Sequence, residues 1–98
     1  MEIKELELHA NRIRKNILTE VHSANSGHPG GSLSGADILT EIYFEQMDIN
    51  KDNVDSIDRD RFVLSKGHAS PLLYGTLKEK GLLDDDLTTF RKINSNLQ

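Results

Sequence analysis

Ser26-Gly27-His28-Pro29-Gly30-Gly31-Ser32 is the stretch on which this 98-residue chain turns. A run of helix-spaced apolar residues stops here. A histidine stands between a glycine and a proline, and two more glycines follow. Glycine admits positive φ and lets a ligand come close to the backbone. Pro29 fixes its own φ and biases His28 towards an extended conformation. A side chain held in this way has little freedom left, as a binding or catalytic contact requires. Alone, the stretch reads first as an ordinary surface loop that happens to carry a histidine, because Gly and Pro punctuate any loop.

A second stretch changes the balance. Asp60-Arg61-Phe62-Val63-Leu64-Ser65-Lys66-Gly67-His68-Ala69-Ser70 runs from charge into a short apolar run, then into a Gly-His turn and a helix start. Phe62-Val63-Leu64 has no alternation, which predicts an interior strand of a parallel sheet, covered on both faces. His68 would stand at the carboxyl end of that strand, where ligands of open α/β sheets lie. Two histidines thus sit in glycine-containing turns, each just ahead of a helix start. Helix N-termini present unpaired N–H groups and a positive dipole end to anions. The pattern predicts two turns converging on one anionic ligand.

These two motifs, in this order and at this spacing, with Leu73-Tyr74 following, closely resemble the N-terminal, diphosphate-binding domain of transketolase. The resemblance runs from about Glu5 to the end of the chain. It implies an α/β fold: the N-terminal, mostly helical part of a Rossmann-like, parallel-sheet domain that binds thiamine diphosphate. One clear strand of that sheet falls in this chain. The implied reaction is transfer of a two-carbon ketol unit between sugar phosphates, in the pentose phosphate pathway, with thiamine diphosphate and Mg as cofactors. By the same resemblance, His28 is the catalytic histidine that faces the donor ketose, with Ser26 beside it at the substrate. His68 contacts the cofactor diphosphate, flanked by Lys66 and Gly67. Both assignments suit imidazole, which titrates near neutrality and donates well to a phosphate oxygen.

The departures from the family pattern define what this chain holds. No Gly-Asp-Gly motif occurs in it, so the ligands of the metal are expected outside the chain. The remaining strands and the pyrimidine-binding domain, with its activating glutamate, are also missing. Residues 1–98 are therefore expected to be an incomplete N-terminal part of the diphosphate-binding domain. Its partners would be sugar phosphates, the remaining domains or a C-terminal subunit, and further copies in a homo-oligomer. The isolated chain is expected to be inactive, because diphosphate binding depends on metal bridging. Two alternatives remain. One is a related thiamine diphosphate enzyme, such as deoxyxylulose phosphate synthase or dihydroxyacetone synthase. The other is a small α-helical interaction module that keeps the ancestral sequence without the chemistry.

Composition narrows the partners. The net charge is −4 and no Lys/Arg cluster occurs, which argues against nucleic acid and anionic membranes. The absence of cysteine excludes a disulfide framework and a thiolate metal site. Met1-Glu2-Ile3-Lys4-Glu5 lacks the apolar run of a signal peptide, and nothing approaches the roughly 20 apolar residues of a membrane span. A soluble cytoplasmic protein is the expectation.

Around the motifs, helical spacing dominates. Ile3, Leu6, Ala10, Ile13, Ile17, Val21 and Ala24 recur at three- and four-residue steps, predicting an amphipathic helix over 2–24, with His9 and His22 exposed off its stripe. Ser34 is a candidate cap with Asp37 reaching back, ahead of a second helix ending near Met47. Asp48, Asn50, Asp52, Asn53, Asp55, Asp58 and Asp60 give a loop, not a calcium site, because a central glycine and a closing glutamate are lacking. Ser70 is the expected cap of a third helix with Pro71 at its first position, and Gly81 closes it. Asp84-Asp85-Asp86 caps a short helix carrying Leu87, Phe90 and Ile93.

Overall fold

The computed structural model describes residues 2–25, 29–93 and 95–97. Four α-helices order the described residues: α1 (Ile3–Ala24), α2 (Pro29–Leu33), α3 (Ala36–Glu41) and α4 (Ser70–Lys80). A π-helical turn, Ile42–Gln46, extends α3, and 3-10 turns occur at Gly67–Ala69 and Leu87–Thr89.

α1 forms where the apolar spacing places it. Ala10, Ile13 and Ile17 are buried on one face. Asn25, at φ 51°, ends the helix in the left-handed region, and its N–H bonds the carbonyls of His22 and Val21. Against that face lies α4, which Gly81 closes at φ 85°. The two helices run antiparallel. His9, near the start of α1, meets Glu79, near the end of α4, at 2.6 Å. Asn16 Nδ2 donates to the Gly75 carbonyl at 3.0 Å. Gly75 permits this approach, because a Cβ there would stand 3.2 Å from Asn16 Cβ and 3.4 Å from the Ile13 carbonyl.

α3 and the π turn close the core from the side. Ala36, Leu39 and Tyr43 join Ile13, Ile17, Ile49, Ala69 and Leu72 in one buried cluster. The π turn is closed by Met47 N donating to Ile42 O at 2.7 Å. Its widened path sends two consecutive rings to different neighbours. Tyr43 packs edge-on against Phe62, while Phe44 stacks on His9 with centroids 4.0 Å apart. A smaller cluster of Leu87, Phe90 and Leu97 packs against Ala24, Tyr74 and Leu83.

Several expectations are corrected. His9 is not an exposed helix residue; Glu79 and the Phe44 ring hold it half-buried. Ser34 does not cap α3, whose N-cap is Gly35; Asp37 instead accepts from Arg14 Nη2 at 2.7 Å. Ser70 is the first residue of α4 rather than its cap, and Ile93 is exposed rather than packed beside Leu87 and Phe90. Asp86 does cap its turn, accepting from Thr88 N at 2.9 Å, a bond that holds its carboxyl below the usual range.

The largest difference concerns Phe62-Val63-Leu64. No strand forms among the described residues, and 61–66 is irregular. Phe62 and Leu64 are half-buried, while Val63 is 84% exposed. A strand requires a neighbour to complete its ladder, and this segment has no paired neighbour among the described residues. The loop before it is as expected: Asn50 Oδ1 accepts from the N–H groups of Asp52 and Asn53, and Asp60 Oδ2 accepts from Asp48 N. No group of acidic or histidine side chains able to hold a metal occurs among the described residues, and no helix there is long and apolar enough to cross a membrane.

One residue breaks the apolar logic of α1. Glu20 continues the Ile13–Ile17 stripe and is fully buried, with neither carboxylate oxygen hydrogen-bonded. Burial pushes its pKa from 4.5 up to about 9. Below 4.5 the group is protonated in both folded and unfolded chains and has no effect on the pH dependence of stability. As pH rises, the unfolded chain releases its proton first, so destabilisation grows until about pH 9. Glu20→Met is expected to raise the thermal midpoint, and to raise it several degrees more at pH 8 than at pH 5. Thermal unfolding followed by circular dichroism checks this. An equal gain at both pH values would mean that the carboxyl is not held neutral in the fold.

Candidate functional site: the α2–Gly67 turn junction

The antiparallel pairing of α1 with α4 puts the end of α1 and the start of α4 at the same end of the molecule. α2 and the 3-10 turn Gly67–Ala69 pack against each other there. That turn is closed by Ala69 N donating to the Lys66 carbonyl at 2.9 Å, and it leads straight into α4.

The junction is made at Gly31. Lys66 Nζ donates to its carbonyl at 3.0 Å, and Ser34 Oγ donates to the same oxygen at 3.1 Å. The missing side chain matters as much. A Cβ on Gly31 would stand 3.3 Å from both Cδ2 and Nε2 of His68, and 3.6 Å from Lys66 Cε. The imidazole edge therefore lies against bare backbone. Pro29, Gly30, Lys66, Gly67 and His68 are exposed around this contact. Beneath it, Ser32 is fully buried and its hydroxyl has no hydrogen-bond partner. Gly35 supports the junction from behind, since a Cβ there would collide with Leu72 Cδ2 of α4.

His68 and Lys66, on either side of Gly67, are thus brought against Gly31 of the first motif. Ser26 and His28 lie outside the described residues. The sequence carries no signal that separates Gly31, in contact with His68, from Gly30, whose added Cβ would meet open space. Nor does it show that Ser32 is buried without a partner.

The donor set decides what the junction suits. It offers an ammonium with N–H groups beyond the one given to Gly31, an exposed imidazole, and a helix backbone without a Cβ. Such a set fits a phosphate-type anion. Among its described residues the junction has no carboxylate for a divalent cation, and no group of acidic or histidine side chains able to hold one.

The family model described as "Transketolase, thiamine diphosphate binding domain" matches residues 6–98. An apulose-4-phosphate transketolase polypeptide of Phocaeicola vulgatus is 41% identical over 88 residues, covering 90% of this chain and 31% of that protein. Transketolase 2 of Vibrio parahaemolyticus is 44% identical over 88 residues, covering 88% of this chain and 13% of its own length. The transketolase of Pongo abelii is 40% identical over 89 residues, covering 90% and 14%. The chain spans less than a third of the length of these relatives.

The two adjacent glycines give a matched pair of tests. Gly31→Ala is expected to push the His68 ring by a few tenths of an ångström and so to move its NMR signals. Gly30→Ala is expected to leave them in place, with stability raised by about 0.5–1 kcal/mol through lower backbone entropy. Equal shifts from the two variants would show that Gly31 does not seat the imidazole.

Proposed function

The chain belongs to the transketolase thiamine diphosphate-binding domain family, and on that premise we propose that it is the N-terminal part of the cofactor domain of an enzyme that transfers a two-carbon ketol unit between sugar phosphates. The observation that carries the reading is the gathering of Lys66 and His68 at Gly31. It unites the two motifs in an exposed cradle suited to a diphosphate. Thiamine diphosphate, when bound, supplies the carbanion chemistry through its thiazolium ring.

The chain's own residues do the rest. His68 holds the diphosphate end, flanked by Lys66 and Gly67 in the cofactor-binding turn. His28 faces the donor ketose, donating to its oxygens and moving a proton, and Ser26 lies beside it at the substrate. Mg is the proposed divalent cation, bound by ligands outside this chain. Residues 62–64 join a parallel sheet when the other strands are supplied by the rest of the diphosphate-binding domain, which in turn meets the remaining domains or a C-terminal subunit. The exposure of Val63 supports that placement, because an isolated apolar run gains from being covered. The assembled enzyme is a cytoplasmic homo-oligomer, and the 98-residue chain alone is inactive.

The test uses the chain assembled with its remaining domains. His28→Ala is expected to lower kcat by about 10²–10⁴-fold with little change in the KM for thiamine diphosphate. His68→Ala is expected chiefly to raise that KM. A coupled assay of ketol transfer reads both, and unchanged kinetics in both variants would sink the assignments. Turnover by the 98-residue chain on its own would refute its inactivity.

A further inference from the structure

We propose that Lys66 is a positioning residue that seats His68 by holding the carbonyl of Gly31, and that it acts on the cofactor through that imidazole. The purpose of the seat rests on the diphosphate reading above; the geometry does not.

A five-residue helix leaves its last carbonyls without intrahelical donors. In α2, Gly35 N bonds Ser32 O and Ser34 N bonds Gly30 O, so neither goes to Gly31. The Gly31 carbonyl is taken instead by two side-chain donors, Lys66 Nζ at 3.0 Å and Ser34 Oγ at 3.1 Å, which use both of its lone pairs. Of the two, only Lys66 comes from the other motif, 35 residues away in sequence. Its bond is charge-assisted, and such bonds are about twice as strong as neutral ones.

Lys66 also holds the other side of the junction. Its carbonyl accepts from Ala69 N at 2.9 Å and closes the turn that carries His68. One residue therefore grips α2 with its side chain and the histidine turn with its backbone. Between these two grips, the His68 edge meets the space that the absent Gly31 Cβ leaves. Removing the ammonium releases its hold on the Gly31 carbonyl and leaves the turn closed, so the imidazole edge loses the link that fixes its register against Gly31. A lysine that only attracted an anion would have no need of the Gly31 carbonyl.

The two roles separate in a double-mutant cycle on the assembled protein, reading the KM for thiamine diphosphate. Lys66→Met is expected to raise it roughly tenfold, the effect of losing about 1.4 kcal/mol. In a His68→Ala background the same substitution is expected to add almost nothing, because Lys66 acts through the imidazole. Lys66→Arg, which keeps donors for the carbonyl, is expected to restore most of the loss. Full additivity of Lys66→Met and His68→Ala would overturn the proposal and make Lys66 a direct contact.

A ligand-free measurement keeps failure of the geometry distinct from failure of the function. In the 98-residue chain, a nuclear Overhauser contact between the Gly31 α-protons and the His68 Cδ2 proton is expected. Lys66→Met is expected to abolish it while the thermal midpoint moves by no more than a few degrees, and Lys66→Arg to retain it. Persistence of the contact in Lys66→Met would overturn the positioning role. Thiamine diphosphate added to the assembled wild-type protein is expected to shift the His68 signals. No shift, with the Gly31 contact intact, would overturn the diphosphate reading alone.

Discussion

The close approach of α1 and α4 at Gly75 is the constraint on which the rest depends. Ile13 and Ile17 are fully buried, each contributing about 1.5–3 kcal/mol, and their helix can reach α4 only because position 75 has no side chain. Asn16 then satisfies the exposed edge of the contact by donating to the Gly75 carbonyl. The antiparallel sense, fixed by His9 with Glu79 at one end and Asn16 with Gly75 further along, brings the last turn of α1 and the first turn of α4 to one end. α2 and the Gly67–Ala69 turn that leads into α4 meet there. A displacement of α1 against α4 would be carried along two rigid rods to the Gly31–His68 contact.

The same interface carries a cost. Glu20 stands on the buried face three residues after Ile17, and Ser32 is buried on α2, both without hydrogen-bond partners. An orphaned buried polar group costs about 1–3 kcal/mol, comparable with what one of the isoleucines contributes. Keeping Glu20 neutral reduces the cost but does not remove it. Elsewhere the chain is consistent at every level: apolar stripe, left-handed caps at Asn25 and Gly81, and Asx turns in the acidic loop. Local rules fail at the end of the molecule where the motifs meet, which is where natural proteins tend to break them.

What is legible in the sequence follows from the range of the forces involved. The α1 stripe, the Gly81 cap and the Asp86 cap are written within a few residues, and each can be read there. Glu20 cannot, because a carboxylate on the apolar face contradicts the usual rule that such groups stay in water. Its helical phase, 13–17–20, is the only signal. His9 misleads for the opposite reason. Its partner Glu79 is 70 residues away, and nothing local to α1 announces it. At the candidate site, His68, Lys66 and Gly67 are legible through the family motif, whereas the choice of Gly31 over Gly30 as the seat depends on tertiary packing alone.

Phe62-Val63-Leu64 shows why no strand forms among the described residues. A helix closes its own backbone hydrogen bonds, so α1 to α4 need only a face to pack against. A strand closes none; its ladder belongs to a pair. An apolar triplet can therefore have the composition of an interior strand and still lie irregular, with Val63 open on one side, when no neighbour pairs with it. The candidate site escapes this dependence because it is built from locally closed pieces: a short helix, a 3-10 turn and a helix start, joined by one lysine and one bare glycine. The junction can thus form from helical pieces alone, whereas a site hung on strand ends would have to wait for a whole ladder.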